Sequence, residues 1–259
     1  MPNWVTNNLN IAEKDLETFK KLALDENGMV DFNILIPRPK DLDITAGCYE
    51  WCIDKYGFNK EQETKQNTLL KPVLDKLYNE NLSQDEFVKL ACTDEVFKIA
   101  KEVYNLEKKS NLDNILRGYY NLRKYGYTNW YDWCREKWGT KWNASETFGS
   151  GTSFTFDTAW NTPYAWLEEL SKHVSFKGSF ADEDLGNNCG LFYRDEEELY
   201  FDTLEDFNDE EKYYIAYLIK GWEDNMYLEE MEMYAEDMGF RPVSDERREE
   251  IVLQLQEYL

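Results

Sequence analysis

Histidine occurs once in these 259 residues, at His173, and that scarcity closes several routes to chemistry. A catalytic triad would need this one imidazole, with Cys134 or Cys189 as nucleophile and an acid such as Asp157, and no local pattern around any of them supports it. His173 stands where a helical stretch ends, a position suited to capping carbonyls. Zinc sites are equally short of material. Cys48 and Cys52 lie one helical turn apart, with no second cysteine or histidine pair at zinc spacing. GxGxxG, Walker A, GxSxG and HExxH patterns are absent, and the Gly149–Thr152 stretch, GSGT, lies between strand-like segments and reads as a hairpin turn. No catalytic residues, metal or cofactor are therefore expected.

Long apolar runs are missing too. No window approaches the roughly 20 apolar residues that span a bilayer, and MPNWVTNNLNI carries neither a basic nor an apolar leader segment. Five cysteines, an odd number at irregular spacing, fit reduced thiols better than a disulfide framework. A soluble protein of the cytoplasm is the expectation.

Basic residues are the next shortage: 29 Lys and Arg face 52 Asp and Glu, a net charge of −23. Such a chain repels phosphates and anionic membranes, so neither nucleic acid nor membrane is an expected direct partner. The excess is concentrated. Residues 181–259 hold 25 acids against 6 bases, a net of −19, in runs such as DEEE, EDFNDEE and EEMEMYAED. Against this charge stand 42% hydrophobic and 16% aromatic residues, enough to bury a sizeable core.

The hydrophobic pattern changes period along the chain. WVTNNLNI (Trp4 to Ile11) reads as a strand, AEKDLETFKKLALD as a helix closed at Asn27-Gly28, and VDFNILI (Val30 to Ile36) as a second strand halted by Pro37. From about Ile44 to Trp138 the periodicity is helical, with Ser83 and Thr93 placed as N-caps. Strand signals return at TSFTFDTAW. A helix then opens at Thr162-Pro163, and FKGSFADED and CGLFYRDEEELYF follow. Beyond Asp206 the pattern is helical again, with Tyr214, Tyr217, Leu218, Trp222, Met226, Met231, Tyr234 and Met238 at three-to-five spacing and a final helix from Asp245. This predicts an α+β protein: an antiparallel or mixed sheet with helices on one face, split by a helical insertion and followed by acidic C-terminal helices. The expected divisions are 1–43 and 138–205 for the two halves of the sheet domain, 44–137 for the insertion and 206–259 for the acidic helices.

Five collinear stretches carry a resemblance: MPNWVTNNLNI, DFNILIPRP, WCREKWGTKWNA, FDTAWNTPYAWLEELS and ADEDLGNNCG. Together they resemble the YubB ferredoxin-like family of phage and plasmid proteins. The resemblance implies a ferredoxin-like sheet and carriage by a mobile element, and it implies no catalytic residues.

Two candidate surfaces emerge. In WGTKWNA, Trp138, Lys141, Trp142 and Asn143 could stack against and hydrogen-bond a planar, nucleotide-like ligand, as a binder or an enzyme would; packing in the core is the alternative. The acids Asp195, Glu196, Glu197, Glu198, Glu205, Asp206, Asp209, Glu210, Glu211, Glu229 and Glu230 form the second, either a solvated face or a surface that stands in for phosphates. With the implied mobile-element setting, the main expectation is a non-enzymatic counter-defence inhibitor. It would occupy, stoichiometrically, the basic surface of a host defence protein of the CRISPR or restriction type. ADEDLGNN, with Asp182, Glu183, Asp184 and Asn187, reads as a polar turn rather than a cation loop.

Overall fold

The structure, a computed structural model, describes residues 3–46, 60–195, 198–222, 227 and 241–259. It divides into two compact units, Met1–Pro37 with Cys134–Leu259, and Arg38–Trp133.

Strand β1 (Trp4–Ile11) opens the first unit, and helix α1 (Leu16–Ala23) follows, burying Phe19 and Ala23. The segment expected to be a second strand, Val30 to Ile36, is a short helix instead, α2 (Phe32–Leu35). The Asp31 carboxylate accepts from the Asn33 N–H at 2.9 Å, and Asn143 Oδ1 takes the Phe32 N–H at 2.8 Å. Side-chain caps that satisfy backbone donors locally outcompete a strand ladder here, despite the apolar alternation. Only Val30 keeps a bridge, to Leu24. α1 ends at Ala23, before Asn27-Gly28, which instead forms a turn in which the Asn27 and Met29 N–H groups donate to the Asp25 carboxylate and the Gly28 N–H to the Asp25 carbonyl.

The second unit is helical. Its elements are α3 (Lys60–Lys65), α4 (Lys71–Leu77), α5 (Gln84–Ala91), α6 (Asp94–Tyr104) and α7 (Leu112–Tyr125), with a π-helical turn at Gln66–Leu70. Ser83 caps α5 in a capping box with Glu86, and Thr93 caps α6. The core joins Leu70, Leu74, Phe87, Ile115, Leu116, Tyr119 and Tyr120. Beside it the buried Asn121 is fully engaged. Its amide donates to the carbonyls of Asp41 and Thr128, and its oxygen accepts from Gln84.

Helix α8 (Trp130–Lys137) leads back toward the sheet. The WGTKWNA segment after it is a series of turns and bends rather than a strand, with Gly139 at φ +85° tight against the backbone of Tyr164. Then come β2 (Ser145–Ser150), β3 (Ser153–Ala159), α9 (Tyr164–Ser171), β4 (Phe176–Ala181), β5 (Cys189–Asp195), β6 (Glu198–Asp202), α10 (Asp209–Ile219) and α11 (Asp245–Leu255). The six strands lie in the order β2-β3-β1-β4-β5-β6, all antiparallel. β1-α1-β2-β3-α9-β4 is a split β-α-β arrangement of ferredoxin-like topology, interrupted after α2 by the helical block and extended by β5 and β6.

Both faces of the sheet are covered, not one. Phe154, Phe156, Phe176, Phe180 and Phe192 point to one face, where Phe19 of α1, Phe32 of α2 and Trp166 of α9 meet them. On the other face Ala181, Cys189 and Leu191 pack beneath Tyr213, Tyr214, Ile215, Tyr217 and Ile219 of α10 and Ile251 and Leu255 of α11. The reason is periodic: β1 alternates Val5, Asn7, Leu9 with Thr6, Asn8, Asn10, and the second set still needs partners for its polar groups. Asn8 Nδ2 donates to the Ile219 carbonyl at 2.9 Å, Asn10 Nδ2 to the Glu257 carbonyl at 3.4 Å, and Ser179 Oγ to the Tyr258 carbonyl at 2.8 Å. The C-terminal helices are thus hydrogen-bonded into the sheet.

Candidate functional site

One row of opposed residues crosses the polar face: Ser145 on β2, Asp157 on β3, Thr6 on β1 and Ala181 on β4. Under α10 this face is filled. Beyond the helix end at Ile219 it is not, and a cup of about 310 Å³ opens there. Trp4, Thr6, Ser145, Glu146, Asp157, Glu183, Lys220 and Trp222 line it.

Its charges are held apart by a hydroxyl. Thr6 Oγ1 donates to Asp157 Oδ1 at 2.9 Å and accepts from Lys220 Nζ at 3.3 Å. The same ammonium also donates to the Trp4 carbonyl at 3.3 Å, while its ring neighbour is Trp222 at 5.4 Å. Lys220 forms no ion pair among the described residues. Burial raises the Asp157 carboxyl above the usual carboxylate range, and burial lowers the Lys220 ammonium below its usual range. The rim is acidic. Glu183 is fixed by the Trp4 N–H, which donates to its Oε2 at 3.1 Å. Glu146 lies where the β2-β3 register shifts, with φ +50°, a left-handed backbone that a non-glycine residue adopts at a cost of about 1–3 kcal/mol. The bulge sets Glu146 at the cup instead of along the ladder.

The Trp138–Asn143 cluster divides. Trp138 is buried against Phe32, its indole N–H donating to the Ile36 carbonyl at 3.0 Å, and Asn143 ties Asp31 and Phe32. Both hold α2 in place. Lys141 lies over the Trp142 ring at 4.5 Å, and Trp142, 38% exposed, approaches Trp4 of the cup at 6.2 Å.

The acids of the C-terminal third also separate. Glu198, Glu205, Asp206 and Asp209 are exposed, and Glu210 is half-buried. Glu211 is engaged internally: it accepts from the Asn208 N–H and pairs with Arg247 at 2.6 Å. Burial pulls its carboxyl up, but these two donors outweigh it and hold the group below its usual range. Asp195 is placed by its backbone alone, opposite Glu198, and Glu196, Glu197, Glu229 and Glu230 lie outside the described residues, as do Met226, Met231, Tyr234 and Met238.

The triad components stay apart in kind. His173 is exposed, its Nε2 3.7 Å from Glu169 Oε1. Cys189 is buried, and burial pushes its thiol up to about 11. Cys134 is buried, and Asp157 hydrogen-bonds Thr6. Cys48 and Cys52 lie outside the described residues. Among the described residues no group of three His, Cys, Asp or Glu could hold a metal ion, and no helix is long and apolar enough to cross a membrane.

The match to known families follows this geometry. A family model described as the ferredoxin-like domain in Api92-like protein matches residues 137–226. The chain carries a ferredoxin-like domain. The matched stretch runs from the end of α8 to just past Trp222, so it includes every residue of the cup except Trp4 and Thr6, which β1 supplies. No curated protein and no solved structure matches the chain.

Sequence reasoning did not assemble the cup, because its members come from five separated segments. One signal was present. Thr6, Asn8 and Asn10 alternate through a central strand, which marks a second, polar face in need of partners.

Proposed function

We propose that this protein is a non-enzymatic binding protein whose acidic C-terminal third docks on the basic, nucleic-acid-binding surface of a partner and excludes the nucleic acid. One observation carries the reading. Glu198, Asp202, Glu205, Asp206 and Asp209 follow one another along the edge strand β6 and into the first turn of α10, all exposed. None forms an ion pair with a described Lys or Arg, whereas Asp245 and Glu250 nearer the C-terminus pair with Arg248 and Arg247. Carboxylates left without counter-ions along a sheet edge and the turn that follows it can replace phosphates in a basic groove, and they steer encounter more than they set dissociation.

The resemblance to YubB proteins of phages and plasmids supplies the setting: a mobile-element product directed at a host defence effector of the CRISPR or restriction type. Direct binding to nucleic acid or to an anionic membrane is opposed by the net charge of −23.

The test is a titration of purified effector nucleases with the protein at low and physiological salt. Stoichiometric inhibition that weakens as salt rises is the expected result, because exposed charges are screened within about 8–10 Å at physiological ionic strength. Inhibition that is substoichiometric, or indifferent both to salt and to neutralising these five acids, would sink the reading.

A further inference from the structure

The cup at the end of α10 is short of hydrogen-bond donors. Three carboxylates, from Glu146, Asp157 and Glu183, line it against one ammonium and the Ser145 hydroxyl, which can donate or accept. That ammonium is committed to the Trp4 carbonyl and Thr6 Oγ1, and it stands out of ion-pair range of all three acids. On the acid side, Asp157 Oδ1 takes the Thr6 hydroxyl and Glu183 Oε2 takes the Trp4 N–H, which leaves Asp157 Oδ2, Glu183 Oε1 and the Glu146 carboxylate without a donor among the described residues. Phosphates and carboxylates are excluded by the sign of the rim. Trp4 and Trp222 give apolar, π-rich walls, and Trp4 is backed by Trp142.

We infer that this cup is a binding site for an organic cation, a guanidinium or primary ammonium group that hydrogen-bonds Asp157, Glu146 and Glu183 and lies against the Trp4 indole. A guanidinium offers five donors in a planar fork, which matches convergent carboxylates and stacks on an indole face. The volume, about 310 Å³, is at the small end of ligand sites and admits a side-chain-sized group. Lys220 occupies the rear of the cup as a tethered cation that keeps the carboxylates compatible while the site is empty. Its partial burial disfavours its charged form, so it yields to a second cation more readily than a solvated lysine would. The positive-φ bulge at Glu146 places an acid at the cup where a regular strand would continue the ladder.

The same chemistry can reach the cup from a free amine or from an arginine side chain of a protein. Calorimetric titrations with agmatine and with a short, end-blocked peptide containing one arginine distinguish the two sources, and AMP serves as the anionic control. Agmatine is expected to bind with a Kd of about 1 mM or tighter. Peptide binding as tight as agmatine would assign the cup to a protein's side chain, and agmatine binding alone to a free amine. Glu146→Gln and Glu183→Gln, both at exposed residues and therefore safe for folding, should together weaken binding at least about tenfold. Lys220→Met should tighten it, because the resident cation is gone. Three results overturn the inference: neither probe binding to the folded protein, AMP binding in their place, or Lys220→Met abolishing binding, which would make Lys220 the anchor of an anionic group. This inference is independent of the acidic edge. Neutralising Glu198, Asp202, Glu205, Asp206 and Asp209 should leave agmatine binding unchanged, so either reading can fail without the other.

Discussion

On one face of the sheet the residues opposed across β3, β1, β4 and β5 are Phe154, Leu9, Gly178 and Phe192; one step along the strands, on the other face, they are Thr155, Asn8, Ser179 and Leu191. The first row excludes water by packing alone. Gly178 belongs to it because any Cβ there would collide with the Asn8 carbonyl and the Phe192 ring. The second row is held by directed bonds, Thr155 to Asn8, Asn8 to the end of α10 and Ser179 to the chain terminus. The packed face is sealed from solvent, its few polar groups such as Asn7 and the Trp166 indole N–H enclosed among rings, and so it has little to offer a ligand. A polar face must satisfy each group, and where α10 stops, the groups beyond its end are left to solvent. The cup is that remainder.

The largest test of this contrast is Phe156→Ala on the apolar face. Phe156 is wholly buried and touches Phe32 and Trp166, so its truncation should cost about 3–5 kcal/mol, read as a lower urea midpoint at unchanged slope. A loss below about 1 kcal/mol would mean that this face is not the main source of stability.

Asn8→Ala probes the polar face. It leaves the Ile219 carbonyl and the Thr155 hydroxyl without their partner and should cost about 1–3 kcal/mol. Its amide exchange should quicken selectively in α10, because the bond lost ties that helix to the sheet. A uniform change across the unit would argue against a separate role for that bond.

Asp157→Asn is expected to stabilise the protein at neutral pH. Burial, opposed by the Thr6 hydrogen bond and by Lys220, raises this carboxyl in the folded state. Its contribution to stability is therefore present below the ordinary carboxylate value of about 4 and is lost as pH rises through the raised folded value. Asparagine has no charge to bury, so the variant should gain on the wild type across that window and hold the gain above it. Melting curves from pH 3 to 8 check this, and a difference that does not vary with pH would remove Asp157 as a group burdened by its site.

Smaller effects are expected at the surface. Changing Glu198, Asp202, Glu205, Asp206 and Asp209 to their amides one at a time should alter stability by no more than about 0.5 kcal/mol each while slowing association with a basic partner. His173→Ala should alter least of all, because its exposed contact with Glu169 is worth at most about 0.5 kcal/mol.

Periodicity was enough to read β1, the helical block with its Ser83 and Thr93 caps, the β2-β3 turn at Gly151 and β4, since each is a local pattern of two or of 3.6 residues, but CGLFYRDEEELYF, read as one stretch, is the hairpin of β5 and β6. Periodicity misled at Val30 to Ile36, where an Asp-x-Asn cap and Asn143, more than a hundred residues away, turned an apolar alternation into a helix. It could not show that the acidic C-terminal helices cover the second sheet face, although Thr6, Asn8 and Asn10 already required partners there. The sequence by itself determined the charge, the α+β class and which strand faces were apolar, because these depend on composition and short periods. Only the tertiary structure brought Thr6, Glu146, Asp157, Glu183 and Lys220 around one cavity, because strand register and the length of α10 decide which distant residues share a space.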